Sequence, residues 1–258
     1  MLVYQQIYYP YAEEYRKLHI WLPDSYYYDS DRYPVVYMFD GHNLFEDSQA
    51  TYGKSWGMKT FLESWEKRII IVGIECSHNG NDRLFEYSPY KWRRSMSRPP
   101  MGDETIRWVI ERVKPVIDNE FRTWPHREAT GVAGSSMGAL MAMHAVLSYN
   151  DVFSKAAAVS GGFFRNIKNY ERDLNSGSIN TDTMIYMSWG ENEAGKAARS
   201  GNPATDTREA RAVYKLERLF QEKGIMTYHY FQENGNHNEE SWEKQVPVFM
   251  NWLWLSRG

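Results

Sequence analysis

The sequence predicts one α/β domain over residues 1–258, built on a mainly parallel central sheet flanked by helices. Three observations predict it. Short apolar runs rich in β-branched residues alternate with helical segments along the chain. No internal repeat, low-complexity tract or Pro/Gly/Ser-rich linker divides it. A chain of 258 residues, 42% apolar and 16% aromatic, has material for one sizeable core.

Taken in order, Tyr15 to Leu22 alternates in character, stops at Pro23, and reads as a strand on or near a sheet edge. Pro34 to Phe39 and Ile69 to Ile74 are continuous apolar runs, which suit strands covered by helices on both faces. Ile106, Val109, Ile110, Val113 and Ile117 recur at helical spacing, and Asp103 and Glu104 stand where a helix start favours acids. Ala129 to Ala133 is a further strand, followed by an alanine-rich helix over Leu140 to Leu147. Ala156 to Val159 and Met184 to Met187 read as buried strands. Asp206 to Glu222 is an amphipathic helix stopped by Gly224. Tyr228 to Phe231 is the last strand and Trp242 to Leu255 the last helix.

Composition excludes several functions. With a net charge of -3, the surface offers no electrostatic reason to bind nucleic acid or an anionic membrane. Mean hydropathy is -0.65, and no apolar run approaches the roughly 18 residues of a membrane-spanning helix. Cys76 is the single cysteine, so no intrachain disulfide can form. Met1 to Pro10 lacks the basic start and apolar core of a signal peptide, which predicts a cytoplasmic protein. A mature secreted chain restarted at a methionine reads the same way.

The pattern Gly-x-Ser-x-Gly occurs twice, around Ser55 and around Ser136. A chain this long shows one copy by chance about a tenth of the time, so context must decide. A nucleophile elbow needs a strand before it and a helix after it, with glycines that let the backbone turn tightly and push the serine hydroxyl out. Ser55 follows Glu46 to Tyr52, which is no buried strand. Ser136 follows Thr130 to Ala133 and precedes Ala139 to Met143, so it alone has the right order.

A serine hydroxyl needs a base to take its proton, usually a histidine oriented by a carboxylate. His144 lies eight residues on, along the helix after the elbow, and cannot fold back. His229 lies inside the last strand. His237 stands in the turn-rich loop Glu233 to Asn238 between the last strand and last helix, where such a base belongs. The acid should follow the strand over Met184 to Met187, where Glu191 and Glu193 compete, with Asp206 more distant. An oxyanion hole needs two backbone N–H donors. Met137, after the nucleophile, supplies one. The loop Asp40 to Asn43, after the Pro34 to Phe39 strand, supplies the other from His42 or Asn43. No acid, His or Cys stands at ligand spacing from His42, so no metal site is expected.

Together these segments resemble the family described as "Putative esterase" within the α/β-hydrolase fold. Its members include feruloyl and acetyl-xylan esterases, enterochelin-esterase-like enzymes and S-formylglutathione hydrolase. The resemblance covers about residues 15 to 255. It rests on Tyr33 to Phe45, Val72 to Ile74, Arg83 to Pro89, Val116 to Asp118, Phe121 to Thr123 and Gly134 to Gly138. Ser55 to Gly57 matches a non-catalytic part of the same pattern, which accounts for the second copy. The resemblance implies a serine hydrolase of carboxylic esters, working without a cofactor. It also implies an acid three residues after the glycine that ends the strand, and Gly190 to Glu193 has that spacing, which selects Glu193. The family's acid is often Asp and a further Gly often follows the elbow; here the acid is Glu and Ala139 follows.

Three readings compete: an esterase on Ser136, His237 and Glu193, an acyltransferase on the same triad, and a non-catalytic binding module. The expected substrate is a small-molecule ester with a short or sugar-linked acyl group, acetyl or feruloyl. Tyr87, Tyr90 and Trp92 are substrate-binding candidates, because aromatic faces pack on sugars and phenolic rings; packing is the competing role. Arg83 and Glu86 are expected to form a structural ion pair.

Overall fold

The computed structural model describes residues 1–91, 97–193 and 201–255. Among these, an eight-stranded sheet carries the strands in chain order as β1 (Leu2–Tyr9), β2 (Glu14–Trp21), β3 (Val35–Phe39), β4 (Ile70–Ile74), β5 (Thr130–Ser135), β6 (Lys155–Val159), β7 (Met184–Gly190) and β8 (Met226–Gln232). Their spatial order is β1-β2-β4-β3-β5-β6-β7-β8. β1 pairs antiparallel with β2, and β2 antiparallel with β4; every later pairing is parallel. The mainly parallel sheet expected from the apolar runs is therefore present.

Burial explains those runs. Along β3, Val35, Tyr37 and Phe39 join one core cluster, and Val36 and Met38 join the other. Both faces are dry, so polar alternation is absent. One face is covered by α2 (Asp82–Glu86), α3 (Gly102–Trp108), α4 (Lys114–Glu120), α5 (Met137–Ser148), α6 (Ile167–Ser176) and α7 (Arg208–Gln221). The other carries α1 (Met58–Ser64), α8 (Glu239–Glu243) and α9 (Val246–Trp254).

The Tyr15 to Leu22 strand lies near the edge as expected, second from it, because β1 adds a strand outside; β1 exposes Tyr4 and Tyr8 and so lacks a strong apolar signal. Two helices change in detail. The single helix over Ile106 to Ile117 becomes α3, a wide turn over Val109–Val113, and α4, which opens with Pro115 in its first turn. The last helix divides into α8 and α9, again with a proline, Pro247, in the first turn of the second piece.

Candidate active site

The parallel strands place their carboxyl ends along one sheet edge, and the candidate residues hang from the loops there. Ser136 sits between β5 and α5 with φ 55° and ψ -118°, a backbone conformation that non-glycine residues rarely adopt. The turn is tight enough that a Cβ on Gly134 would lie 2.7 Å from the Gly138 carbonyl carbon. His237 Nε2 is 2.8 Å from Ser136 Oγ. His237 Nδ1 is 3.3 Å from Glu193 Oε2. Serine, histidine and Glu193 thus come together across 101 residues of sequence in one hydrogen-bonded chain.

Glu193 is also held from behind. The Trp242 indole N–H donates to Ser160 Oγ at 3.1 Å, and Ser160 in turn donates to Glu193 Oε1 at 2.6 Å. The indole has no acceptor, so this order of donors is forced. The Trp242 ring also meets the His237 ring edge-on, with centroids 5.1 Å apart. Glu191 is elsewhere: it accepts the Asn234 N–H at 2.7 Å and steadies the turn after β8. Asp206 accepts the Asn202 N–H and the Thr205 hydroxyl. The loops after β7 and β8 are tied by the Asn192 N–H donating to the Gly235 carbonyl at 2.9 Å.

The two oxyanion candidates after β3 separate on hydrogen bonding. The Asn43 N–H donates to the Asp40 carbonyl at 2.9 Å, while the His42 N–H has no acceptor among the described residues. Met137 opens α5, where a helix leaves its first N–H groups unpaired. The His42 ring bonds Thr51 through Nε2 and packs against His78. Burial outweighs the nearby Asp40 and Glu75 and lowers its pKa.

Two aromatic candidates are corrected. Tyr87 is 1% and Tyr90 8% exposed, so neither ring faces substrate. Tyr87 accepts the Asp40 N–H, and Tyr90 donates to Asp173 beside His144. Trp92 lies outside the described residues. Arg83 and Glu86 do not pair with each other either: Arg83 grips Asp40, and Glu86 pairs with Arg16 and accepts the Ser77 N–H. Ser55 is a buried turn residue whose hydroxyl donates to Asp47 at 2.7 Å. His144 bridges Asp103 and Tyr90, and His229 bonds Glu217.

The cleft over Ser136 has a volume of about 1000 Å³. Its walls include Leu140, Phe164 and Trp189 on the apolar side and Arg165, Arg208 and Arg211 on the cationic side. None of these stands out in the sequence as a site candidate, because single apolar, aromatic and arginine residues scattered over α5, β7, α7 and the segment after β6 carry no common spacing. Ser160 and Trp242 are equally isolated as site residues. Among the described residues no group of acids, histidines and cysteines is arranged to hold a metal, and no helix is long and apolar enough to cross a membrane.

The fold is that of the α/β-hydrolases. The chain belongs to the family described as "Putative esterase", whose model matches residues 10–253, and is thereby a hydrolase acting on esters. It is 26% identical over 183 residues to the uncharacterized protein YbbA of Bacillus subtilis, a match covering 69% of each chain. The fold is shared with an IroE-like serine hydrolase of Shewanella oneidensis, at a TM-score of 0.74 and 19% identity, covering 99% of this chain and 80% of that one. It is also shared with the siderophore hydrolase EstA of Aspergillus nidulans, at a TM-score of 0.67 and 17% identity, covering 99% and 95%.

Proposed function

We propose that this protein is a serine carboxylic-ester hydrolase acting through an acyl-enzyme on Ser136. The observation that carries this reading is the chain from Ser136 Oγ to His237 Nε2 and from Nδ1 to Glu193. His237 takes the Ser136 proton as Oγ attacks the ester carbonyl, and Glu193 stabilises the imidazolium. The N–H groups of Met137 and His42 receive the negative charge that develops on the carbonyl oxygen. The alcohol leaves with the proton from Nε2. Water, deprotonated by the same nitrogen, then releases the acid and restores Ser136.

The cleft supports the feruloyl side of the substrate expectation over the acetyl side. A volume of about 1000 Å³ is far more than an acetyl group fills. Phe164, which is exposed, offers a face for a phenolic ring or a sugar. A second reading follows from Arg165, Arg208 and Arg211: an anionic ester of the siderophore type, like that named for the Aspergillus neighbour. A cytoplasmic location suits either reading.

The test is a kcat/KM panel on p-nitrophenyl acetate, butyrate, octanoate and palmitate, methyl ferulate, acetylated xylooligosaccharides and a catecholate trilactone, run with and without an added sugar acceptor. Preference for ferulate supports the first reading, and preference for the trilactone the second. A transfer product with the acceptor would make the enzyme an acyltransferase. An optimum at octanoate or longer, with neither ferulate nor trilactone turned over, would overturn both substrate readings.

A further inference from the structure

We infer that Arg83 is a positioning residue for the turn that presents the His42 N–H, acting through Asp40. The inference rests on the oxyanion role proposed above for that turn.

Asp40 follows β3 directly and has φ 60° and ψ 50°. A non-glycine residue in this left-handed region persists only where its surroundings impose it. Three restraints impose it here. Arg83, 43 residues away in α2, donates from Nε at 2.7 Å and from Nη2 at 2.6 Å to the two carboxylate oxygens. The Asp40 N–H donates to the Tyr87 hydroxyl at 3.3 Å, and the Asp40 carbonyl accepts the Asn43 N–H. The guanidinium in turn lies over the Tyr87 ring, 5.1 Å from its centroid. Burial works against a charge on Asp40, yet the adjacent Arg83 prevails and holds its pKa below the ordinary carboxylate value. The pair is therefore ionised and forked, a geometry that lysine cannot reproduce.

The same carboxylate reaches the other donor. A Cβ on Gly138, in the first turn of α5, would lie 3.6 Å from Asp40 Oδ2 and 3.1 Å from the Phe39 Cβ. Asp40 thus packs against the turn that carries the Met137 N–H while its own turn carries the His42 N–H. Arg83 does not line the cleft, although its neighbour Leu84 does. It works on the relative placement of two backbone donors. A misplacement of about 1 Å at such a site costs about 10²-fold in rate.

The experiment compares Arg83→Gln and Arg83→Lys with the wild-type enzyme on one p-nitrophenyl ester. Arg83→Gln should lower kcat by about 30- to 100-fold and leave KM within about threefold. Arg83→Lys, which keeps the charge and loses the fork, should fall between. A trifluoromethyl ketone, whose hemiketal oxyanion occupies the same donors, should lose affinity in proportion to kcat/KM. The Arg83 side chain is 28% exposed, so guanidinium added at millimolar concentration should restore part of the activity of Arg83→Ala. A purely structural role would move none of these together. If Arg83→Gln does not fold, Arg83→Lys carries the same readouts. The inference is overturned by a wild-type kcat in the variants, by a loss confined to KM, or by an unchanged ketone affinity. Should Ser136→Ala retain activity, the underlying reading fails instead; Ser136→Ala inactive with Arg83→Gln normal sinks this inference alone.

Discussion

Replacing Glu193 by Gln tests the triad at the level of single protons. Ser160 accepts the Trp242 indole N–H, so its own proton must go to Glu193 Oε1, 2.6 Å away. In Glu193→Gln that bond keeps the amide oxygen facing Ser160. The amide NH2 then occupies the place of Oε2 and faces His237 Nδ1. It donates to Nδ1, which forces the ring proton onto Nε2. Nε2 then points a proton at Ser136 Oγ and cannot accept one. A triad held in the wrong tautomer loses about 10⁴ in kcat, which is about 5.5 kcal/mol of barrier. The argument also fixes a second variant. Adding Ser160→Ala lets the amide flip, so the double variant should recover at least about tenfold over Glu193→Gln alone. Steady-state hydrolysis of p-nitrophenyl butyrate from pH 6 to 9 reads both. Glu193→Gln within tenfold of wild type would refute the role of Glu193. A double variant no faster than the single one would refute the tautomer argument while leaving that role intact.

Four further outcomes are expected. Ser136→Ala should lose at least about 10³-fold in kcat/KM and all labelling by a fluorophosphonate probe. Ser55→Ala should keep its turnover but lose about 1–2 kcal/mol of stability in urea unfolding, because it removes a buried hydroxyl bonded to Asp47. For His144, burial disfavours the charge, but the hydrogen bond to Asp103 and the nearby Asp173 carboxylate prevail and raise its pKa. Its charge therefore stabilises the fold fully below the unfolded histidine pKa of about 6.5, and that contribution is lost as pH rises through the raised folded value. The stability gap between wild type and His144→Asn should accordingly narrow with rising pH above about 6.5; a gap that widens would refute it. Gly41→Ala should abolish activity or folding, since its Cβ would fall 2.4 Å from the Gly73 carbonyl carbon; a normally active variant would show that the turn has room to move.

Much of this was legible in the sequence, for physical reasons that can be named. β3, β4 and β6 are buried on both faces, and that condition writes itself as an uninterrupted apolar run. β1 is an edge strand with exposed tyrosines and leaves no such mark. Helical periodicity does not register a proline that opens a new turn, so Pro115 and Pro247 divided helices that read as continuous. The elbow serine and loop histidine were readable because strand–turn–helix order constrains them. The acid was not readable from composition, because Glu191 and Glu193 differ only in which partner each one meets. Tyr87 and Tyr90 went wrong because aromatic content says nothing about direction: both point into the core. Ser160 became visible only when β6 and β7 were set side by side and its hydroxyl met a carboxylate from the neighbouring loop.

The floor under the turns that carry Ser136 and His42 is made by backbone touching backbone. Gly41 lies on Gly73, and Gly134 on Gly138. A surface of this kind offers nothing to substitute: any Cβ added there must displace main chain. The wall of the cleft is different material, since larger residues, among them Leu140, Phe164 and Arg165, line it. Chemistry and selectivity are thus assigned to different materials in one site. Attempts to redirect the enzyme to another ester should therefore mutate the wall and leave the floor alone. Libraries drawn from the wall should yield altered preferences with turnover intact, whereas libraries drawn from the floor should yield inactive protein.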